Sequence, residues 1–268
     1  AAVTAAAFAA WTYGAVAGVS GALSLPPAAV ALVAGSAVLL LPRLGWAAIT
    51  VTLCAGAIIQ HHSGAALVIA IAALVPVVLM PARPSAWPLS AVAPALGLIG
   101  LAGAWPAIAS RARGPSQRAA LGAVGWVWLL LAGALSGQTL YLPHISGAPL
   151  PSVWIGSLQQ TTTHLLSVDI SAGVLAPAIV WAVAAMIAPW LVRGQAPVLD
   201  VFRVFVWSAL LVSATSAAVV IVHGSDAVGS APTAVLGAAA GAVVALIGLA
   251  PAQWRRAGRF SPLGARLP

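Results

Sequence analysis

Trp87-Pro-Leu-Ser-Ala-Val-Ala-Pro-Ala-Leu-Gly-Leu-Ile-Gly-Leu-Ala-Gly-Ala-Trp-Pro-Ala-Ile-Ala-Ser110 carries no charged residue and is long enough to cross a bilayer, for which about 20 predominantly apolar residues suffice. Its prolines (Pro88, Pro94, Pro106) and glycines (Gly97, Gly100, Gly103) are residues that interrupt helices. An interruption at membrane depth frees backbone N–H and C=O groups, which is tolerated only where protein or a water-filled cavity surrounds them. Residues 88–110 are therefore predicted to form a broken or re-entrant segment inside a helix bundle. An ordinary kinked span is the other reading of the same stretch.

Outward from this segment the chain repeats the same apolar character. It has 268 residues, 62% hydrophobic and 5% charged, with a mean hydropathy of +1.08. Soluble domains carry roughly a quarter charged residues, so a water-soluble globule of this length is excluded. Apolar runs lie at about 3–25, 27–42, 45–60, 65–81, 88–110, 119–136, 171–192, 201–222 and 232–250. They are rich in Ala and Leu and lack the alternation of polar and apolar residues found in outer-membrane strands. The expected fold is all-α: a polytopic membrane helix bundle with about eight spanning helices plus the broken or re-entrant segment at 88–110. It divides into a transmembrane domain over 1–250 and a basic cytoplasmic tail over 251–268. Within the former, an outer connection over 138–170 carries a short interfacial helix, suggested by Trp154, Ile155, Leu158, Leu165 and Leu166 set against Gln159, Gln160 and Thr161 to Thr163.

The charged set consists of eleven Arg and three Asp, with neither Lys nor Glu. Lysine Schiff bases, phosphate-gripping lysines and glutamate bases or ligands are thereby excluded. Arginine placement orients the helices, because positive residues in short loops stay on the cytoplasmic side. Arg43, Arg83, Arg111, Arg113, Arg118, Arg193, Arg203, Arg255, Arg256, Arg259 and Arg266 fall on one set of connections, while 24–27, 61–64, 138–170 and 223–231 contain none. Only 88–110 has arginine at both ends, and a hairpin entering and leaving on the cytoplasmic side removes that exception. Both termini are then cytoplasmic, and the protein belongs in the cell inner (plasma) membrane, its partner the lipid bilayer. The pI near 11.8 does not point to nucleic acid, because the arginines are dispersed at segment ends rather than gathered on one face.

Tryptophans 11, 46, 87, 105, 154, 190 and 254 fall near segment ends, where an indole suits the headgroup zone. Trp126, Trp128, Trp181 and Trp207 lie deeper and read as packing residues. Gly14 and Gly18, and Gly237 and Gly241, have the four-residue spacing that lets helices approach closely. His61, His62, His144, His164 and His223 fall on the outer side with Asp169 and Asp226, but no pair has the i, i+4 spacing of a helical metal site. Asp200 and Arg203 form a helix-start pair. Thr50, Thr52, Gln60, Ser213, Thr215 and Ser216 are the neutral polar residues available to line a path, and Cys54, the sole cysteine, reads as a small buried hydrophobe. No Gly-rich phosphate loop ending in Gly-Lys, no His-Glu-x-x-His and no Gly-x-Ser-x-Gly elbow is present. The expected inventory is accordingly no catalytic residue, no cofactor-binding residue and no metal ligand.

Leu96-Gly-Leu-Ile-Gly-Leu-Ala-Gly-Ala-Trp-Pro-Ala-Ile-Ala, Arg118-Ala-Ala-Leu-Gly-Ala-Val-Gly-Trp-Val-Trp-Leu-Leu-Leu, Val153-Trp-Ile-Gly-Ser and Ala188-Pro-Trp-Leu-Val-Arg-Gly resemble the C-terminal membrane region of serine/threonine protein kinases from high-GC actinobacteria. The resemblance runs from about Ser85 to Gly194, and elsewhere only the hydropathy is shared. It implies an integral membrane anchor or sensor region following a cytoplasmic kinase domain in the same polypeptide. The chain opens on Ala1 in an apolar segment without an initiator Met, as expected of a piece of a longer polypeptide. No kinase catalytic residue carries over to any position, since that chemistry requires a lysine and a glutamate. The alternative from a different class is a small-solute transporter or permease using the broken segment.

Overall fold

A computed structural model describes residues 8, 12, 26–81, 84–136, 140–141, 157–165, 168–192, 197–223 and 232–257. Among these the ordered elements are helical, and no strand occurs. The α-helices are α1 (Pro27–Leu40), α2 (Pro42–Ile59), α3 (Ser63–Leu79), α4 (Val92–Leu98), α5 (Trp105–Ala109), α6 (Pro115–Ser136), α7 (Leu158–Leu165), α8 (Val168–Leu191), α9 (Pro197–His223) and α10 (Pro232–Ala257). Two 3-10 helices, Pro84–Ala91 and Ala102–Ala104, flank α4. Proline opens α1, α2, α6, α9 and α10, a position where its missing N–H has no intrahelical acceptor to lose.

The connections are short, and their chemistry sets the packing. Only Leu41 separates α1 from α2, and a Cβ on Gly45 would lie 2.5 Å from the Ala37 carbonyl carbon, so glycine permits the close crossing. Helices α2 and α3 form an antiparallel pair through Gln60, His61 and His62, with Trp46 bonded to Ala73 and Cys54 to Ala66. Phe8 is helical, buried and stacked on Trp46 with ring centroids 4.9 Å apart. Helix α7 occupies part of the expected interfacial stretch, with Gln159 and Gln160 exposed and Thr161 buried. Helix α10 continues to Ala257, past the apolar run that ends near Ala250, so the first part of the expected tail is helical.

Large apolar side chains lie on the outside of the bundle as well as within it. The interior is rich in Ala, Gly and Trp beside aliphatic residues such as Val68, Val124, Leu129 and Val219, while Leu32, Val33 and Leu40 on α1, Ile58 and Ile59 on α2, and Phe202, Phe205 and Leu210 on α9 face outward. Val198 is 85% exposed and Ile221 84%. Exposed apolar surface on this scale marks contact with a membrane or another protein. Helix α2 and residues Val198–Val222 of α9 are long and apolar enough to cross a membrane. The apolar parts of α1, α3, α8 and α10, and the stretch Trp87–Leu98, are shorter than that among the described residues.

Candidate functional site

The segment from 84 to 110 is broken, and most of its residues from Trp87 onward are buried, with Leu98 and Ile99 exposed at the turn. It runs as a 3-10 helix to Ala91, α4 to Leu98, a turn at Ile99-Gly100-Leu101, a second 3-10 helix, and α5 to Ala109. Pro88, Ser90 to Pro94, Gly97, Ala102 to Ala107, Ala109 and Ser110 are buried. At the turn, Gly100 has φ 74°, its N–H donates to the Gly97 carbonyl, and the Leu101 N–H donates to the Leu96 carbonyl at 2.7 Å. Those two bonds and the left-handed residue constitute a Schellman stop, which glycine adopts without a Cβ penalty.

Glycines also set how closely neighbouring helices enclose the segment. A Cβ on Gly103 would lie 2.7 Å from the Ala238 backbone nitrogen, and one on Gly237 would lie 2.7 Å from the Gly103 nitrogen. A Cβ on Gly241 would come 3.0 Å from the Cα of Ala104. The glycine pair of α10 thus packs against the broken segment of the same chain. Gly14 and Gly18 lie outside the described residues. On the other side, a Cβ on Gly125 of α6 would collide with the Trp105 indole, whose Nε1 donates to the Leu121 carbonyl at 2.8 Å.

Indole donors tie the bundle together. Trp46 Nε1 donates to the Ala73 carbonyl (3.3 Å), Trp87 Nε1 to Met80 (3.0 Å), Trp128 Nε1 to Ala72 (2.6 Å) and Trp207 Nε1 to Ala184 (3.1 Å). Trp126, Trp128, Trp181 and Trp207 pack in the core as expected from sequence. Trp46 and Trp105 do not follow the headgroup expectation, since both are almost fully buried. Their indoles find carbonyl acceptors inside the bundle, which removes the reason to sit at a wet interface. Trp190, by contrast, is 59% exposed, while Trp11 and the side chains of Trp154 and Trp254 lie outside the described residues.

Two indoles depart from the pattern. Trp126 on α6 and Trp181 on α8 are 1% and 0% exposed, and their Nε1 atoms are buried without a hydrogen-bond acceptor. Leaving such a group unpaired costs about 1–3 kcal/mol. The two rings meet edge to face with centroids 5.3 Å apart, and Tyr141 packs perpendicular to both, 6.0 Å from Trp126 and 5.4 Å from Trp181. Glycine brings the helices together here also, because a Cβ on Gly122 would lie 2.5 Å from the Trp181 carbonyl oxygen. Tyr141 stands in the connection after α6. Burial pushes its phenol above the ordinary range and the Thr215 side chain partly offsets this, so the hydroxyl stays protonated. Leu140, the residue before it, lies against α4: a Cβ on Gly97 would be 2.9 Å from the Leu140 Cβ. The aromatic cluster therefore adjoins the first half of the broken segment.

The remaining polar residues are dispersed. Thr50 and Thr52 donate to carbonyls of their own helix, Trp46 and Ala48, both at 2.8 Å. Thr215 is fully buried and donates to Leu211 at 2.6 Å, whereas Ser213 is exposed and Ser216 partly buried. Gln60 caps α2 through its backbone N–H. Asp200 is 4% exposed and meets Arg203 at 3.5 Å, the expected pair at the start of α9. His61 and His62 occupy the α2–α3 turn, with His61 exposed. His144 and Asp226 lie outside the described residues, as do the side chains of His164, Asp169 and His223. No group of three potential metal ligands occurs among the described residues. Sequence reasoning placed Trp126 and Trp181 only as packing residues and did not single out Tyr141. Their proximity is set by the packing of α6, α8 and the 140–141 connection, which no local motif reports.

No family model, curated protein or solved structure matches this chain.

Proposed function

We propose that this chain is a polytopic module of the inner (plasma) membrane that anchors or regulates a signalling protein and carries no catalytic centre of its own. The extent of outward-facing apolar surface carries this reading. Large apolar residues face outward on α1, α2, α3, α8, α9 and α10, and small residues let the helices pack closely inside, an arrangement that suits hydrocarbon rather than water. About eight helices cross, residues 88–110 enter and leave on the cytoplasmic side, and both termini are cytoplasmic. Arg43, Arg111 and Arg113 are exposed at helix ends, in keeping with retention on one side.

The resemblance of residues 85–194 to the membrane region of actinobacterial serine/threonine protein kinases supports the role of an anchor or sensor behind a cytoplasmic kinase domain. With no Lys and no Glu in the sequence, the phosphoryl-transfer chemistry lies outside this chain. The coding sequence upstream of Ala1 tests the assignment: an open frame encoding no kinase-like domain overturns it. For the topology, single cysteines placed at His62 and Arg113 in a Cys54→Ala background are expected to be labelled from opposite faces. Labelling of both from the same face overturns the arrangement.

The second reading is a small-solute transporter, favoured by the break between α4 and α5, since discontinuous helices commonly form substrate sites. It expects uptake into vesicles that is lost in Gly97→Leu while the protein level is maintained. Absence of uptake across a panel of small neutral solutes weighs against it.

A further inference from the structure

We propose that Trp126 and Trp181 are the donors of a binding site for a small, planar, uncharged molecule bearing a carbonyl oxygen, set beside the first half of the broken segment. Five indoles in the described core donate to carbonyls of neighbouring elements, so this bundle readily satisfies a buried indole N–H. The two exceptions occur together, on facing helices, with their rings in contact. Buried unpaired donors are few in folded proteins and each calls for a partner. Two in one cluster specify the complementary group, a hydrogen-bond acceptor.

The surroundings narrow the chemistry. Indole N–H groups donate and do not accept, so the ligand presents lone pairs. Trp126, Tyr141 and Trp181 meet one another edge to face, an aromatic surrounding that suits a flat apolar body. Asp200 and Arg203 are engaged with each other, and neither α6 nor α8 carries a charged residue between Ala119 and Leu191 apart from Asp169 at the start of α8. A charged ligand would find no counter-ion on the helices that supply the donors, and burying an unpaired charge is strongly disfavoured. Leu140 against Gly97 links the cluster to α4, so occupancy would be felt at the break. The inference rests on the interior of the bundle and is independent of the kinase and transport readings.

Such a molecule can arrive from the bilayer or from water, and two probes separate the routes: 2-methyl-1,4-naphthoquinone, which partitions into lipid, and nicotinamide, which stays aqueous. The full chain, labelled with 15N at the tryptophan indoles and purified in detergent, is titrated with each. Trp126→Phe and Trp181→Phe assign the two resonances by their disappearance. Saturable displacement of both resonances by either probe, with those of Trp128 and Trp207 unmoved, is the expected result, and the active probe identifies the route. Trp181→Phe is expected to weaken binding at least about tenfold, as for loss of a bonded donor, while Trp207→Phe leaves it unchanged. The proposal is overturned if neither probe moves the two resonances, if all indoles shift together in proportion to concentration, or if both show only exchange with water. If Trp181→Phe does not fold, the titration of the unaltered chain decides, with elimination among the remaining variants supplying the assignment.

Discussion

Trp128 donates its indole N–H to the Ala72 carbonyl at 2.6 Å, the same carbonyl that Pro76 leaves without an intrahelical partner. Pro76 lies inside α3, and proline at position i removes the hydrogen bond to the carbonyl at i−4. A defect in one helix thus becomes a docking point for another. In a denaturant titration in detergent, Trp128→Phe is expected to destabilise the fold by about 1–2 kcal/mol, the loss of a bonded buried group. In a Pro76→Ala background, where the substituted residue can supply the missing N–H, the same change is expected to matter less. Equal losses in both backgrounds would show that the two residues are uncoupled.

Two turns in the chain share one geometry but not one residue. At the end of α2 the His62 N–H bonds the Ala57 carbonyl (2.8 Å), the His61 N–H bonds that of Ile58, and His61 has φ 61°. Gly100 completes the matching stop after α4. A left-handed residue with a Cβ is strained by roughly 1 kcal/mol relative to glycine, so His61→Gly is expected to raise stability by about that amount. Gly100→Ala is expected to lower it by a similar amount, because it adds a Cβ to the left-handed residue. Thermal unfolding of the two variants gives opposite signs if the backbone argument holds.

Gly125 and Gly114 make a matched pair for testing packing in α6. A Cβ at 125 would strike the ring of Trp105, whose N–H is fixed on Leu121, whereas nothing lies within 4 Å of one at 114. Gly125→Ala is expected to destabilise by roughly 1–3 kcal/mol, the range for overpacking a core. Gly114→Ala is expected to change stability by less than about 1 kcal/mol, as for a residue capping a helix start. Similar losses at both sites would contradict the packing described.

The contact of α10 with the broken segment predicts a graded response at Gly237. Alanine there would press on the Gly103 nitrogen and leucine would separate the elements. Limited proteolysis in detergent is expected to cut near 99–104 faster in Gly237→Leu than in the unaltered chain, with Gly237→Ala between. An unchanged pattern would mean that α10 does not hold the segment in place.

Much of this arrangement is legible in local sequence, and the rest is not for a definable reason. The helix starts at Pro42, Pro115 and Pro197 precede the apolar runs by three or four residues, whereas the break across 88–110 and the Asp200–Arg203 pair both depend on residues a few positions apart, and each lies where the sequence leads one to look. The burial of Trp46 and Trp105 does not. Their positions near segment ends are compatible with a headgroup placement, and only the carbonyls of Ala73 and Leu121, brought up from other helices, make the interior preferable. Trp126 and Trp181 are equally illegible, since an acceptor that fails to arrive leaves no trace in the residues around a tryptophan.

Composition and pattern alone determined that this chain is helical, intensely apolar, without lysine or glutamate, and rich in helix-interrupting residues across 88–110. Those properties follow from backbone chemistry and from the transfer of side chains out of water, which act locally. The tertiary structure decided which face of each helix turns inward. In a water-soluble bundle a polar stripe marks the outside, but here helices such as α1 and α8 are apolar all round, and hydropathy gives no direction. Close approach replaces polarity: Ala and Gly turn inward where backbones meet, larger apolar residues stand both inside and outside, and the indoles find, or in two cases do not find, their carbonyls.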